Sequence, residues 1–430
     1  MFEGIEDEII EYGMGIVDEV EVACIRSESV SIELKKTVPA HAGESYGTGL
    51  VIRVIDGGRI GSSSTNSPGT WRSCLDQAIA SARLAEAVPW GGLPGPVPLS
   101  GEPLSFDPSV RLDPDLALST CNELLQGAEE YPDADVVGGG AGFSLSTVLL
   151  ANSAGIRYHE EHSSVSASLE AIADQSTGFE YDRSAFMDID PQAIGRTAAE
   201  LATGSRNGLP IDTGTYDLLF SPMAFASLAA SLLQSALNGR NVHMGRSFLA
   251  GKLGEVIASE DLTVTDDPFY QRGLGSTRFD AEGVPTSRME LIKDGILTSY
   301  LYDLKTAYRF GTKSTGNAAH GGPGGGVGIG VHNMVFDAER MAEPGEGTCI
   351  YIHDVIGAHT ANPLTGDFSV EVQNSFFMED GVKGDPIRKA MLAGNIFEML
   401  GKIIGMGETP RRVGSVIVPP VRVSDMRLVG

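Results

Sequence analysis

Residues 146–174 read STVLLANSAGIRYHEEHSSVSASLEAIAD, two runs of strand-like alternation joined by an Asn-Ser-Ala-Gly turn. A period of two over that length cannot lie on a helix, whose faces repeat every 3.6 residues. Helical periods precede it at Asp113–Glu130 and follow it in DPQAIGRTAAELATG, ending at Gly204. This helix–hairpin–helix unit makes the chain a mixed α+β protein built on antiparallel pairing. The YHEEHSS stretch at its centre bears on function. A zinc-protease HExxH places its histidines four apart on one helical face, with the glutamate beside the first as base. Here His159 and His162 are three apart and on a strand. The expected arrangement puts His159 and Glu161 on one face and Glu160 and His162 on the other, as a polar strand surface.

An earlier unit has a related order. Glu6–Val17 has helical periodicity, EVACIRSESVSIELKK reads as two short strands, and GLVIRVIDGGRIGSSST as a hairpin turning at Asp56-Gly57-Gly58. TWRSCLDQAIASARLAEA returns to a helix, and Val88–Pro114 is a Pro- and Gly-rich connection. The likeness of the two units is too weak in sequence to count as a repeat. Beyond them the chain is mainly β. GTYDLLFSP runs from a strand into a helix with Pro222 in its first turn, and a hairpin turns at Asp294-Gly295. Strands follow at NMVFDAE, GTCIYIHDVIG, DFSVEVQNSFFMEDG and SVIVPPVRVSDMRLVG, with a helix expected over LAGNIFEMLGKIIG. The predicted organisation is an N-terminal α/β module over 1–92, a second over 113–205, and a large antiparallel β-rich C-terminal domain over 212–430.

The formal charge of −26 argues against a basic face for nucleic acid or anionic lipid. No apolar run reaches the ~18 residues that span a bilayer, so no membrane partner is expected. The acidic, amphipathic MFEGIEDEIIEYG is unlike a targeting peptide, and the expectation is a cytoplasmic protein. Cys24, Cys74, Cys121 and Cys349 are widely spaced, without CxxC pairs, and read as buried inert thiols.

HGGPGGGVGIG (320–330) is glycine-rich but lacks the GK[ST] ending of a phosphate loop, and reads as a loop permitting close backbone approach. Histidines 320, 332, 353 and 359 lie in the β-rich half near Asn317, Asn362, Asp367 and Ser369. Imidazole, amide, hydroxyl and carboxylate groups on loops of a β scaffold are suited to lining a cleft. Asn317, His320, His332, His353, His359, Asn362, Asp367 and Ser369 are therefore the candidate site residues. Spacing alone assigns no catalytic triad, because triads are spatial.

The segments GRSFLAGKLGEVIASEDLTVTDDP, FDAEGVPTSRMELIKDGILTSYL, STGN, GAHTANPLTGDFSVEV and AGNIFEML, with the closing SVIVPPVRVSDMRLVG, resemble the TldD/PmbA family, also labelled modulators of DNA gyrase. The resemblance covers the whole chain and is most specific from about Gly214 onward. It implies one of two branches. TldD-like members carry a zinc-binding HExxxH on a helix following a strand, plus a Cys ligand near the C-terminus. PmbA (TldE-like) members share the fold without that motif and pair with TldD in a peptidase acting on unfolded or small peptides.

In this chain the helix after YDLLFSP reads MAFASLAASLLQSALNGRNV, with no His or Glu, and IGMGETPRRVGSVIVPP contains no Cys. The three protein ligands and water of a catalytic zinc cannot be assembled from these segments. The resemblance therefore implies a PmbA-branch subunit with no catalytic or metal residues and no cofactor of its own. Zinc would be carried by a TldD-like HExxxH partner in a heterodimer, with a homodimer as the other possibility and a peptide as substrate. Two alternatives stay open: an autonomous metal-dependent peptidase using the C-terminal histidines, and a protein-interaction regulator.

Overall fold

The computed structural model describes residues 4–101, 105–320, 326–338 and 344–430. The N-terminal half contains α1 (Ile5–Gly13), β1 (Glu19–Lys35), β2 (Val38–Asp56), β3 (Arg59–Thr65) and α2 (Trp71–Leu84). It then repeats the order with α3 (Pro114–Ala128), β4 (Asp135–Asn152), β5 (Arg157–Ala173), β6 (Ser176–Ser184) and α4 (Pro191–Gly204). All six strands form one antiparallel sheet, ordered β3-β2-β1-β4-β5-β6, so the two units are mirrored about the central β1–β4 pair.

What sequence comparison of the units left as a loose likeness is a structural repeat. One glycine makes the point. A Cβ on Gly61 of β3 would lie 2.1 Å from the Ala78 carbonyl oxygen and 2.3 Å from the Ala82 nitrogen of α2. A Cβ on Gly178 of β6 would lie 2.1 Å from the Ala198 oxygen and 2.5 Å from the Ala202 nitrogen of α4. Each unit seats its closing helix directly on a glycine of its edge strand, a close approach that any side chain would block.

The period of two assigns the sheet's faces. Val22, Cys24, Val30 and Ile32 of β1, with Leu50, Ile52 and Val54 of β2, pack into apolar clusters with the helices. Glu21, Ala23 and Arg53 alternate with them and turn to the other face, which the C-terminal half covers. The EVACIRSESVSIELKK stretch lies, up to Lys35, in the single 17-residue strand β1 rather than in the two expected, because β2 and β4 flank it in unbroken ladders past the polar Ser27-Glu28-Ser29.

The C-terminal half begins with β7 (Gly214–Phe220), α5 (Pro222–Leu237), α6 (Gly239–His243), β8 (Leu262–Asp266), β9 (Met289–Lys293), β10 (Ile296–Leu297) and α7 (Leu304–Phe310). It continues with β11 (Ala318–His320), β12 (Val327–Ile329), β13 (Met334–Ala338), β14 (Thr348–Ile356), β15 (Asp367–Glu379), β16 (Val382–Pro386) and β17 (Ala390–Asn395). It ends with α8 (Ile396–Gly401), β18 (Ile403–Met406), β19 (Arg411–Val413), β20 (Val416–Val418) and β21 (Val421–Val429). Strands β14-β7-β21-β17-β15 pair in that order, and β15 pairs back onto β14, closing a barrel. A second sheet runs β10-β9-β8-β13-β20-β19.

Between barrel and second sheet lies α5, in contact with β7 and β14 on one side and β19 and β20 on the other. The helix expected over LAGNIFEMLGKIIG is confined to α8, because its flanks pair with β15 and β21 as β17 and β18. Of the glycine-rich 320–330 stretch, residues 321–325 lie outside the described residues, and Val327–Ile329 is β12, paired with β11.

Candidate functional site

The segment between β8 and β9 turns back at Gly283 and plugs the open face of the N-terminal sheet. Phe279 joins Ala23, Leu150, Ile156 and Tyr158 in an apolar cluster. Gly283 has φ +77°, and a Cβ there would meet the Ile156 Cδ1 at 2.8 Å and the Leu150 Cδ2 at 3.2 Å. Both the left-handed backbone and the close approach call for glycine. Beside it Glu282, fully buried, pairs with the Arg53 guanidinium and accepts from the Leu304 N–H at 2.6 Å through its other oxygen. Arg53 also reaches Glu21 at 3.0 Å. Burial pushes Glu21 up to about 7 against the pull of Arg53, and the Glu282 charge adds to the rise.

The plug and β11 form an open-mouthed cavity of about 240 Å³ against β4 and β5. Its lining includes Glu160, His162, Asp280, His320 and His332, with Val148, Leu150, Phe279 and Ala318 as apolar wall. His332 is set by register. It lies two residues before Met334, which pairs with Asp266 across the β13–β8 ladder. Asp266 accepts from the His332 backbone N–H at 2.7 Å, lies 2.8 Å from His332 Nδ1, and accepts from Asn317 Nδ2 at 2.6 Å. A carboxylate on Nδ1 makes that nitrogen the donor and fixes the orientation of the ring.

Asp280 accepts from the backbone N–H of Ala318 at 3.0 Å and of Glu282 and Val284 at 2.9 Å each. Burial, with the neighbouring Glu282 charge, still raises its pKa to about 8. Glu160 accepts from Thr277 Oγ1 at 2.5 Å and from both the backbone N–H and Nε of Arg278 at 2.9 Å. His162 Nδ1 is 2.7 Å from Ser105 Oγ, and burial lowers its pKa despite the Glu160 charge nearby. Burial and Arg53 likewise lower that of His320.

The YHEEHSS stretch is thus a strand with the expected alternation, but it is not simply a polar surface. His159 and Glu161 are exposed, whereas Glu160 is buried and, with His162, faces the cavity. The C-terminal domain covers that face, a contact more than a hundred residues distant in sequence.

The eight candidate residues fall into three places. His320 and His332 line the cavity, and Asn317, buried behind them, lies 3.4 Å from His332 Nδ1 through its Nδ2. His353, on β14, sits at a second junction, its Nε2 3.4 Å from Glu180 Oε2 of β6 and its Nδ1 3.1 Å from the Tyr351 hydroxyl. His359, Asn362, Asp367 and Ser369 are exposed on the loop and strand start around residues 358–369. There Asp367 accepts from Asn395 Nδ2 and Thr365 Oγ1 at 2.8 and 2.7 Å, which lowers its pKa, and Asn362 accepts from the Leu364 N–H. These bonds shape the loop and do not face the cavity residues. Sequence reasoning missed Asp266, Asp280 and Glu282, although they lie within the segments that carried the family resemblance.

The helix on which the TldD branch would carry zinc is α5. Met223, Ala224, Phe225, Ala226, Leu228, Ala229, Leu232 and Leu233 are buried, and Phe225 packs edge-on to Phe336 at 5.2 Å. Solvent reaches Ser227, Ala230, Ser231 and Gln234, whose hydroxyl and carboxamide groups are not zinc ligands. The donors present do not fit the metal. Among the described residues no three His, Cys, Asp or Glu side chains are grouped to hold a metal ion.

Comparison with known proteins agrees with this architecture. Models of the PmbA/TldA metallopeptidase match as domain 1 over residues 20–82, the central domain over 107–206 and the C-terminal domain over 213–430. An uncharacterized protein of Methanocaldococcus jannaschii is 32% identical, covering 94% of both chains. The metalloprotease PmbA of Escherichia coli is 26% identical, covering 96% of this chain and 94% of its own. The crystal structure of TldE from Thermococcus kodakarensis superimposes with a TM-score of 0.91 at 27% identity, over 99% of this chain and 100% of that one. With the fold, three consecutive domains and near full-length relatives in agreement, the chain belongs to the PmbA/TldD metallopeptidase family.

Proposed function

We propose that this chain is a non-catalytic, PmbA/TldE-like subunit of a two-chain metallopeptidase acting on unfolded or small peptides. It docks a TldD-like, HExxxH-bearing chain that carries the zinc, and it contributes part of the cleft wall that positions the peptide. The observation that carries this reading is α5: at the place of the zinc helix it presents apolar side chains to the core and Pro, Ser, Ala and Gln, none of them a zinc ligand, to solvent. The similarity to a solved TldE supports the branch. An extended peptide is suited to a β-rich cleft, because main-chain pairing binds it independently of sequence and side-chain pockets select it. We place the complex in the cytoplasm without a nucleic-acid partner; the acidic charge of −26 supports the latter, and none of the described helices is long and apolar enough to cross a membrane.

Mixing this chain with the HExxxH-bearing chain of the same organism tests the reading. The pair is expected to co-elute on size exclusion and to degrade an unfolded peptide only when both are present, with zinc stoichiometric to the HExxxH chain. Failure to co-elute sinks the subunit role. The second reading, an autonomous peptidase, draws on the His332–Asp266 pair, since a carboxylate behind an imidazole is the arrangement that orients a metal ligand or a base. It requires stoichiometric metal on untagged, isolated chain and activity lost on chelation.

A further inference from the structure

We infer that the cavity between plug and sheet is a side-chain pocket for one bulky apolar residue, of Leu, Met or Phe class, of an extended peptide. This rests on the cleft-wall reading and specifies what the wall selects. Its volume, about 240 Å³, suits such a group, since an apolar cavity of about 150 Å³ holds benzene. The walls explain the class of residue. Val148, Leu150, Leu274, Phe279, Ala281, Ala318 and Ala319 supply apolar surface.

The carboxylates in the lining are already engaged. Glu160 has both oxygens committed to Thr277 and Arg278, and Asp280 accepts three backbone N–H groups. Burial holds His162 and His320 toward the neutral form, and His332 is tied to Asp266. Among the described lining residues, a Lys or Arg side chain entering here would lose its water without gaining an unshared carboxylate, and a Glu or Asp would meet no unpaired cation, so both are disfavoured. An apolar group gives up no hydration of a polar group and gains burial that exceeds its rotamer cost.

The pocket is also placed to be read by a strand. Residues Ala318, Ala319 and His320 of β11 form one wall, and Ala318 is clamped to the plug through its N–H to Asp280 and its carbonyl to the Ala281 N–H, at 3.0 Å each. A peptide extended beside this wall presents alternate side chains to one side, so a single residue enters. Ala319, His320, Leu274 and His162 are among the part-exposed lining residues past which it would enter.

The test is fluorescence anisotropy of the purified full chain with fluorescein-labelled Gly-Ser decapeptides carrying one central Phe, Leu, Ala, Lys or Glu. The Phe and Leu peptides are expected to bind roughly tenfold or more tighter than the Ala peptide, and the Lys and Glu peptides no better than Ala. Two variants in the plug, Ala281→Leu and Leu274→Trp, fill the space and should bring the Phe/Ala ratio to near one, with circular dichroism and cooperative unfolding confirming that they fold. Equal binding of all peptides, a preference for Lys or Glu, or a Phe preference that survives both variants overturns the proposal. If the chain pairs with its HExxxH partner but does not discriminate, only the pocket fails. If it discriminates without pairing, only the subunit role fails.

Discussion

Two of the buried ionic contacts that join the halves of this molecule are clusters of opposite composition. At the central junction one cation, Arg53, serves Glu21 and Glu282, with Asp280 and Asp303 close enough for the Glu282 charge to raise both. At the outer junction one carboxylate, Glu180 of β6, is shared by Arg411 Nη2 at 2.6 Å and by His353. The first has excess carboxyl groups in a site almost without solvent; the second has excess donors and an Arg411 that remains 30% exposed. Burial opposes ionisation in both. It prevails at Glu21, raised to about 7, whereas at Glu180 the contacts with His353 and Arg411 overcome it and bring the pKa to about 2. The same task, fixing a sheet onto a β-rich domain, is met by charge arrangements that respond to pH in opposite directions.

The strongest way to break this contrast is Arg53→Met. It leaves Glu21 and Glu282 buried without a counter-ion, and the expected loss is ~3–5 kcal/mol in denaturant unfolding. Adding Glu21→Gln and Glu282→Gln should restore much of it, because the cost lies in the unpaired charges. A loss below ~1 kcal/mol for the single variant would mean that the cluster is not held desolvated. Glu180→Gln should cost less, ~1–3 kcal/mol, since Arg411 can turn to water. An equal or larger loss than for Arg53→Met would reverse the ranking of the two junctions.

The pH dependence separates them without mutation. With its pKa raised from 4.5 to about 7, Glu21 in the folded chain keeps a proton that the unfolded chain has released, so its contribution falls as pH rises across that window. Asp280, raised from 3.8 to about 8, acts in the same direction. Glu180, depressed from 4.5 to about 2, contributes fully above the ordinary carboxyl range and loses its contribution as pH falls toward 2. The thermal midpoint should therefore decline from pH 5 to pH 8, and the decline should flatten in Glu21→Gln. A midpoint that climbs across that range contradicts the assignment. The smallest effect is expected of Ser105→Ala, which removes the partner of His162 Nδ1 at ~1 kcal/mol while leaving the central junction intact.

Much of the secondary structure was legible along the chain, and so were the turns at Asp56-Gly57-Gly58 and Asp294-Gly295. Such features follow from local steric preference and the period of apolar residues. The site was legible only in part. Asn317, His320 and His332 could be singled out by type, and they do converge. Their carboxylate partner Asp266 could not, because the bond depends on the β8–β13 register, which joins residues 66 apart in sequence. Arg53 read as one residue of a hairpin strand, and only the arrival of Glu282, 229 residues later, makes it a buried charge.

The sequence by itself determined the α+β class through its apolar periods, the family resemblance through its motifs, and the absence of metal donors on α5 through its residue types. Tertiary structure decided which face of YHEEHSS is covered, that the barrel closes between β14 and β15, and that the two N-terminal units form one mirrored sheet. The physical reason is common to these three. A period of two separates the faces of a strand but leaves open what will cover each face, and pairing between distant strands depends on long-range packing that no local stretch encodes.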